Sequence, residues 1–120
     1  MLIAVVDDDY RMLQSLDDLL QAEGYRTLLC ASAEHFLGQP ARQAVDFIIS
    51  DIALPAMSGI ELLRTLRGQA SLPPAILITG RNERHFEEDA RDLGVLRLFS
   101  KPIDSGELLT TLRAALSDSQ

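Results

Sequence analysis

The sequence predicts a single α/β domain in which helices cover both faces of a parallel sheet. Five apolar runs of strand length alternate with five stretches in which apolar residues recur every three or four positions. Strands that alternate with helices form parallel pairs, because each right-handed connection must pack back onto the sheet. The length of 120 residues suits one domain, which buries roughly two-thirds of the surface that its unfolded chain exposes.

The first half of the chain is predicted to hold three strands and two helices. The strands cover residues 2–6, 25–30 and 45–51, and the third run ends abruptly on a carboxylate. Ser32 is predicted to cap a short second helix that has ended by Pro40. The first helix should end at Gly24, and its apolar stripe consists of Met12, Leu13, Leu16, Leu19 and Leu20.

The second half is predicted to hold three helices and two strands. Ser58 and Glu61 form a capping-box pattern at the start of the third helix, which Gly68 closes. Strands are expected over residues 75–78 and 95–99. Asn82 is predicted to cap the fourth helix, and Asp104 to open the fifth. The buried sides of these helices are expected to be Ile60, Leu62, Leu63 and Leu66, then Phe86, Ala90 and Leu93, and then Leu108, Leu109, Leu112, Ala115 and Leu116.

Composition and charge limit the classes of function. A formal net charge of −7 argues against nucleic-acid binding by this domain itself. There is no apolar run of membrane-span length and no signal-peptide pattern, so a soluble cytoplasmic protein without membrane contact is expected. Cys30, the one cysteine, is expected to be a buried thiol. His35 and His85 lack the spacing and partners of a metal site.

Polar side chains follow four of the five predicted strands. They are Asp7 and Asp8 after the first, Asp51 at the third, Thr79 at the fourth and Lys101 at the fifth. Parallel strands end at one edge of the sheet, so these groups should converge there. Clustered carboxylates repel one another unless a cation bridges them, and oxygen ligands favour Mg²⁺ or Mn²⁺. A cation, a lysine and a hydroxyl around Asp51 suit a phosphoryl group, with Asp51 as the nucleophile that forms an aspartyl-phosphate.

These segments resemble the five signature positions of response-regulator receiver domains, the phosphoacceptors of two-component signalling. The similar segments are residues 5–9, residues 50–55 with Gly59, residues 78–80, and Lys101 with Pro102. The resemblance covers residues 1–116 and leaves residues 117–120 as a polar tail or the start of a linker. It implies a flavodoxin-like (βα)5 fold with strand order 2-1-3-4-5.

The resemblance also implies roles for individual residues. Asp51 would take a phosphoryl group from the phosphohistidine of a histidine kinase, while Thr79 and Lys101 would contact that group. Mg²⁺ would be bound by Asp7, Asp8, Asp51 and the backbone carbonyl of Ala53. The Lys101–Pro102 peptide bond is predicted to be cis.

At the level of the whole protein, the resemblance implies a signalling domain that is not an enzyme beyond its own phosphoryl transfer and slow autodephosphorylation. The fourth helix, fifth strand and fifth helix would form the output face, which is often the surface of a phosphorylation-dependent homodimer. The sequences around Asp51, Thr79–Gly80 and Lys101 are most similar to receivers that precede helix-turn-helix DNA-binding output domains.

Three positions depart from the usual pattern or are variable in the family. Leu98 stands three residues before the lysine, where members commonly carry Tyr or Phe, and the aromatic Phe99 comes one place later. Leu98 is expected to be buried in both signalling states, which leaves Thr79 and the loop after it to carry the change. Ala53 and Arg81 occupy positions that often tune phosphoryl lifetime, and Arg81 either shields the phosphoryl group or admits water.

Three other classes of function are alternatives to this interpretation. A phosphatase of the haloacid dehalogenase type needs a second aspartate two residues after the nucleophile, where Ala53 stands. A flavodoxin needs a phosphate-binding loop rich in Ser, Thr and Gly after the first strand, where Asp7, Asp8 and Asp9 would repel phosphate. The remaining alternative is a pseudo-receiver, which keeps the fold and acts as an interaction module that does not depend on phosphorylation.

Overall fold

The fold is a parallel sheet of five strands in the order 2-1-3-4-5, as the sequence predicted. A computed structural model describes residues 1–80 and 84–117, apart from the side chain of Arg84. All four strand pairings are parallel. The strands are β1 (Leu2–Val6), β2 (Arg26–Cys30), β3 (Phe47–Asp51), β4 (Ala75–Thr79) and β5 (Arg97–Ser100).

Five α-helices connect and follow these strands in the described part of the chain. They are α1 (Tyr10–Ala22), α2 (Ala33–Leu37), α3 (Gly59–Gly68), α4 (Glu87–Asp92) and α5 (Ser105–Ser117). Short 3₁₀ helices span Pro40–Ala44 and Arg84–Phe86. Over residues 1–80 and 84–117, no helix combines the length and the apolar character that crossing a membrane requires.

Two hydrophobic clusters cover the two faces of the sheet. Because side chains alternate along a strand, β1, β3 and β4 contribute neighbouring residues to opposite clusters. On one face, helices α1 and α5 pack over Ile3, Val5, Phe47, Ile49, Ile76, Ile78 and Phe99. On the other face, α2, α3 and α4 pack over Ala4, Val6, Ile48, Ala75 and Leu77. The three central strands are fully buried, which fixes the positions of their carboxyl ends.

Several predicted boundaries are wrong by one or two residues. β3 begins at Phe47 because residue 45 closes a 3₁₀ helix, its N–H donating to the carbonyl of Arg42. β5 begins at Arg97 because the N–H of Val95 still donates to a carbonyl of α4. β2 begins at Arg26, one residue later than predicted.

The predicted helix ends are largely confirmed. Ser32 caps α2 through the N–H of His35, and the Ser58–Glu61 capping box is present at the start of α3. Gly24 follows α1 and Gly94 follows α4, both with the positive φ that favours glycine. α3 ends at Gly68 as predicted, although the left-handed residue of its last turn is Ala70, with φ of 55°. Asn82, the predicted cap of the fourth helix, lies outside the described residues.

Candidate functional site

The carboxyl ends of four strands bring the predicted site residues to one edge of the sheet. Asp7 follows β1, Asp51 is the last residue of β3, and Thr79 is the last residue of β4. Lys101 follows β5, and its backbone N–H donates to the carbonyl of Thr79 at 3.0 Å. The Thr79 hydroxyl is buried and donates to the carbonyl of Gly80 at 3.1 Å.

Asp51 is buried and each of its carboxylate oxygens accepts a hydrogen bond. Oδ2 accepts from Nζ of Lys101 at 2.9 Å, and Oδ1 accepts from the backbone N–H of Ala53 at 3.1 Å. The N-terminus of α3 lies against the backbone of this residue. A Cβ at Gly59 would lie 3.0 Å from the carbonyl carbon of Asp51 and would overlap its carbonyl oxygen, so only glycine fits.

Asp7 is the most buried carboxylate of the site, with 1% of its surface exposed. Its Oδ1 accepts from the N–H of Asp9 at 2.9 Å, but no described residue hydrogen-bonds to its Oδ2. Burial raises the pKa of Asp7 to about 6; the bond from Asp9 opposes this rise and the charge of Asp51 adds to it. A buried polar atom without a hydrogen-bond partner is rare in folded proteins and is consistent with a bound ligand at this atom.

The three acidic residues fit a divalent cation. Asp7, Asp8 and Asp51 each offer one carboxylate oxygen, and these atoms lie within 4.8 Å of one another. Asp8 is exposed, so solvent reaches the site from its side. An all-oxygen donor set matches Mg²⁺ or Mn²⁺, and a cation would bind Oδ2 of Asp7, which has no hydrogen-bond partner among the described residues. Ala53 is exposed in the loop after β3, two residues beyond Asp51.

Lys101 places a cationic side chain at the site. Its Nζ lies 2.9 Å from Oδ2 of Asp51 and 3.9 Å from Oδ2 of Asp7. Burial works to lower the pKa of Lys101, but the hydrogen bond with Asp51 and the charges of both aspartates raise it above its usual value. The ammonium therefore stays charged beside the carboxylates. The Lys101–Pro102 peptide bond is cis, as predicted.

Leu98 and Phe99 lie on opposite faces of the sheet. Leu98 pairs with Leu77 and packs only partly buried on the α2–α4 face, so the expectation that it is buried was too strong. Phe99 is buried on the face of α1 and α5 and does not take the place of a ring at position 98. Arg81, the other predicted tuning residue, lies outside the described residues.

The other candidate ligand side chains do not join the site. His35 is exposed on α2, and the ring of His85 contacts that of Phe86 with centroids 4.0 Å apart. Cys30 is buried as predicted, and burial raises the pKa of its thiol to about 11. One contact near the site was not predicted from the sequence: Glu34 accepts a hydrogen bond from the N–H of Met57, in the loop after Asp51. In the sequence it looks like an ordinary acidic residue in the first turn of a helix.

Fold and site together define an α/β domain with a candidate divalent-cation pocket around a buried aspartate. A family model described as the response regulator receiver domain matches residues 3–113. The chain therefore belongs to the response regulator receiver domain family, and the family predicted from the sequence is confirmed.

Relatives and solved structures agree with this membership. The chain is 30% identical over 118 residues to transcriptional regulatory protein FixJ of Bradyrhizobium diazoefficiens, covering 98% of this chain and 58% of that protein. It is 33% identical over 114 residues to response regulator protein TodT of Pseudomonas putida, covering 95% and 50%. The chain thus spans about half the length of these curated relatives.

Among solved structures, the signal receiver domain of an HD domain-containing protein from Pseudomonas fluorescens Pf-5 is 35% identical, with a TM-score of 0.89. The match covers 98% of this chain and 94% of that one. The structure of FixJ-N is 28% identical with a TM-score of 0.84, covering 95% and 91%. These similarities support the fold over nearly the whole chain.

Proposed function

We propose that this chain is the phosphoacceptor receiver domain of a two-component response regulator, and that Asp51 accepts the phosphoryl group from the phosphohistidine of a histidine kinase. The observation that carries the proposal is the surroundings of Asp51. A buried carboxylate at a strand end has a lysine ammonium at 2.9 Å and two further carboxylates within 4.8 Å. Such a site holds a charged nucleophile among groups suited to a transferring phosphoryl group.

In the proposed reaction a carboxylate oxygen of Asp51 forms a bond to phosphorus. The bond from phosphorus to the imidazole nitrogen of the donor breaks, and its electron pair stays on that nitrogen. Lys101 would stabilise charge on the phosphoryl oxygens from its position beside Asp51. The Thr79 hydroxyl, at the neighbouring strand end, would donate a hydrogen bond to one of these oxygens.

Asp7, Asp8, Asp51 and the carbonyl of Ala53 would hold Mg²⁺ or Mn²⁺. Support comes from the cluster of three carboxylates and from the buried Oδ2 of Asp7, which lacks a hydrogen-bond partner among the described residues. When bound, the cation supplies positive charge that neutralises the phosphoryl oxygens. Without it, repulsion among the carboxylates would oppose the approach of a phosphate donor.

The proposed output is control of a partner or of a further domain through the face formed by α4, β5 and α5. The relative FixJ is named a transcriptional regulatory protein, and the chain spans 58% of its length. A DNA-binding output domain, a cytoplasmic location and a phosphorylation-dependent homodimer follow as parts of this proposal. The domain would act on no separate substrate, so it would not be an enzyme in the usual sense.

The test is phosphorylation by acetyl phosphate with Mg²⁺, followed by mass spectrometry of the intact protein and of its peptides. Wild type should gain one phosphoryl group on Asp51, and Asp51→Asn should gain none while remaining folded. Asp18→Asn is the matched control, because Asp18 is an exposed aspartate on α1 that contacts Gln14. A folded wild type that takes no label, or that carries it on Asp7 or Asp8, would favour the pseudo-receiver alternative or a different acceptor.

A further inference from the structure

The loop between β3 and α3, residues 52–58, adjoins the proposed phosphoacceptor. Its inner half, Ile52 and Ala53, is fixed to the sheet, because the N–H of Ile52 donates to the carbonyl of Ile78 at 2.9 Å. The N–H of Ala53 donates to the Asp51 carboxylate at 3.1 Å. The position of Ala53 is therefore coupled directly to the carboxylate of Asp51.

The outer half of the same loop, residues 55–58, contains a strained residue. Ala56 has φ of 61°, in the left-handed region, which costs a residue with a Cβ about 1–2 kcal/mol. Pro55, just before it, has no N–H with which to hold the loop. A residue in such a conformation persists only where its surroundings determine it. A hydrogen bond to the peptide group that follows Ala56 would therefore help to hold Ala56 in this conformation.

That contact comes from helix α2. The N–H of Met57, directly after Ala56, donates to Oε2 of Glu34 at 3.1 Å, across 23 positions in the sequence. The neighbours of Glu34 on α2, Ala33 and Phe36, are buried in the core, so packing fixes the backbone beneath its exposed carboxylate. Glu34 is therefore a firm anchor for the strained part of the loop.

We propose that Glu34 is a positioning residue for the cation site and that it acts through Met57 and Ala56 on the carbonyl of Ala53. The inference rests on the proposed function, in which that carbonyl is a ligand of Mg²⁺. Without the Glu34 acceptor, the N–H of Met57 loses its hydrogen bond, and Ala56 is less restrained in its left-handed conformation. The carbonyl of Ala53 then occupies a wider range of positions, and part of the cation affinity is lost.

The experiment compares Mg²⁺ affinity by calorimetry in wild type, Glu34→Ala, Glu34→Gln and the control Glu88→Ala. Glutamine keeps an oxygen acceptor without the charge. Glu88 holds the second position of the short helix α4, as Glu34 does in α2, so its removal deletes the same charge away from the loop. Glu34→Ala should weaken Mg²⁺ binding about three- to tenfold, or about 0.7–1.4 kcal/mol. The other two variants should stay within about twofold of wild type.

A second readout is amide hydrogen exchange at Met57, which should be faster in Glu34→Ala while the urea midpoint without Mg²⁺ stays close to wild type. Unchanged Mg²⁺ affinity in Glu34→Ala overturns the proposal. An equal loss in Glu34→Gln or in Glu88→Ala also overturns it, because charge alone would then explain the effect. These measurements need no phosphoryl transfer. A wild type that binds Mg²⁺ but is not labelled on Asp51 therefore counts against the proposed function and leaves this comparison valid.

Discussion

Replacing Asp7 by asparagine should stabilise the metal-free domain, and the gain should depend on pH. The pKa of Asp7 is raised from 3.8 to about 6, chiefly by burial. Each pKa unit corresponds to about 1.4 kcal/mol, so the ionised carboxylate destabilises the fold by about 3 kcal/mol. Asparagine has nearly the same shape, keeps an oxygen to accept from the N–H of Asp9, and carries no charge.

The sign follows from proton binding. A folded-state pKa above the unfolded value means that the folded protein binds the proton of Asp7 more tightly than the unfolded chain does. The contribution of Asp7 to stability therefore falls as pH rises from about 4 to about 6, and the full penalty is present above that range. Asp7→Asn should thus gain little near the acid end and up to about 3 kcal/mol at about pH 8.

The assay is urea unfolding followed by circular dichroism, with a chelator present, for wild type and Asp7→Asn at several pH values. The difference between the two proteins at each pH removes the titration of the other groups, which both share. Asp8→Asn is the control, because Asp8 is adjacent in sequence but exposed. If the difference between wild type and Asp7→Asn does not change between about pH 4 and about pH 8, ionisation of a buried Asp7 is not the cause and this reasoning is wrong.

Three further predictions use the same preparations. Mg²⁺ should raise the melting temperature of wild type by mass action and leave Asp7→Asn nearly unchanged; no effect on wild type would contradict a metal site. Gly59→Ala should lose about 1–3 kcal/mol in urea unfolding, because its Cβ would press on the Asp51 backbone, whereas Gly68→Ala, with nothing within 4 Å, should be neutral or gain up to about 1 kcal/mol. Beryllofluoride should strengthen wild-type self-association only modestly, as sedimentation would show. If the dimer affinity of wild type rises a hundredfold, about 2.7 kcal/mol, and that of Leu98→Tyr rises no further, the aromatic ring missing at position 98 has no role.

The sequence was sufficient for the sheet and for most of the site, and the reason is physical. An apolar run that stops at a polar residue marks both the length of a buried strand and the group at its end. Asp7, Asp51, Thr79 and Lys101 each follow such a run. Since parallel strands end at one edge, four local patterns were enough to place distant residues together.

What the sequence could not supply depends on backbone turns and on tertiary contacts. Val45 and Val95 extend apolar runs, yet neither belongs to a strand. The N–H of Val45 closes a 3₁₀ turn on the carbonyl of Arg42, and the N–H of Val95 donates to the carbonyl of Ala90 in α4. Ala56 adopts a left-handed conformation that residue type would not suggest. The hydrogen bond between Glu34 and Met57 joins a short helix to a loop 23 positions away, and no repeat of apolar residues in the sequence predicts that contact.

The site contacts different helices through the two faces of the sheet. Side chains alternate along β4, so Thr79 shares a face with Leu77, and Leu77 pairs with Leu98. That face is covered by α2, α3 and α4, whereas Phe99 packs toward α1 and α5. Leucine has no polar group whose partner changes between states, so Leu98 offers little differential free energy to a switch. We infer that a signal from Asp51 leaves through Thr79 and the loop after it toward α4, without an aromatic ring at position 98 to take part.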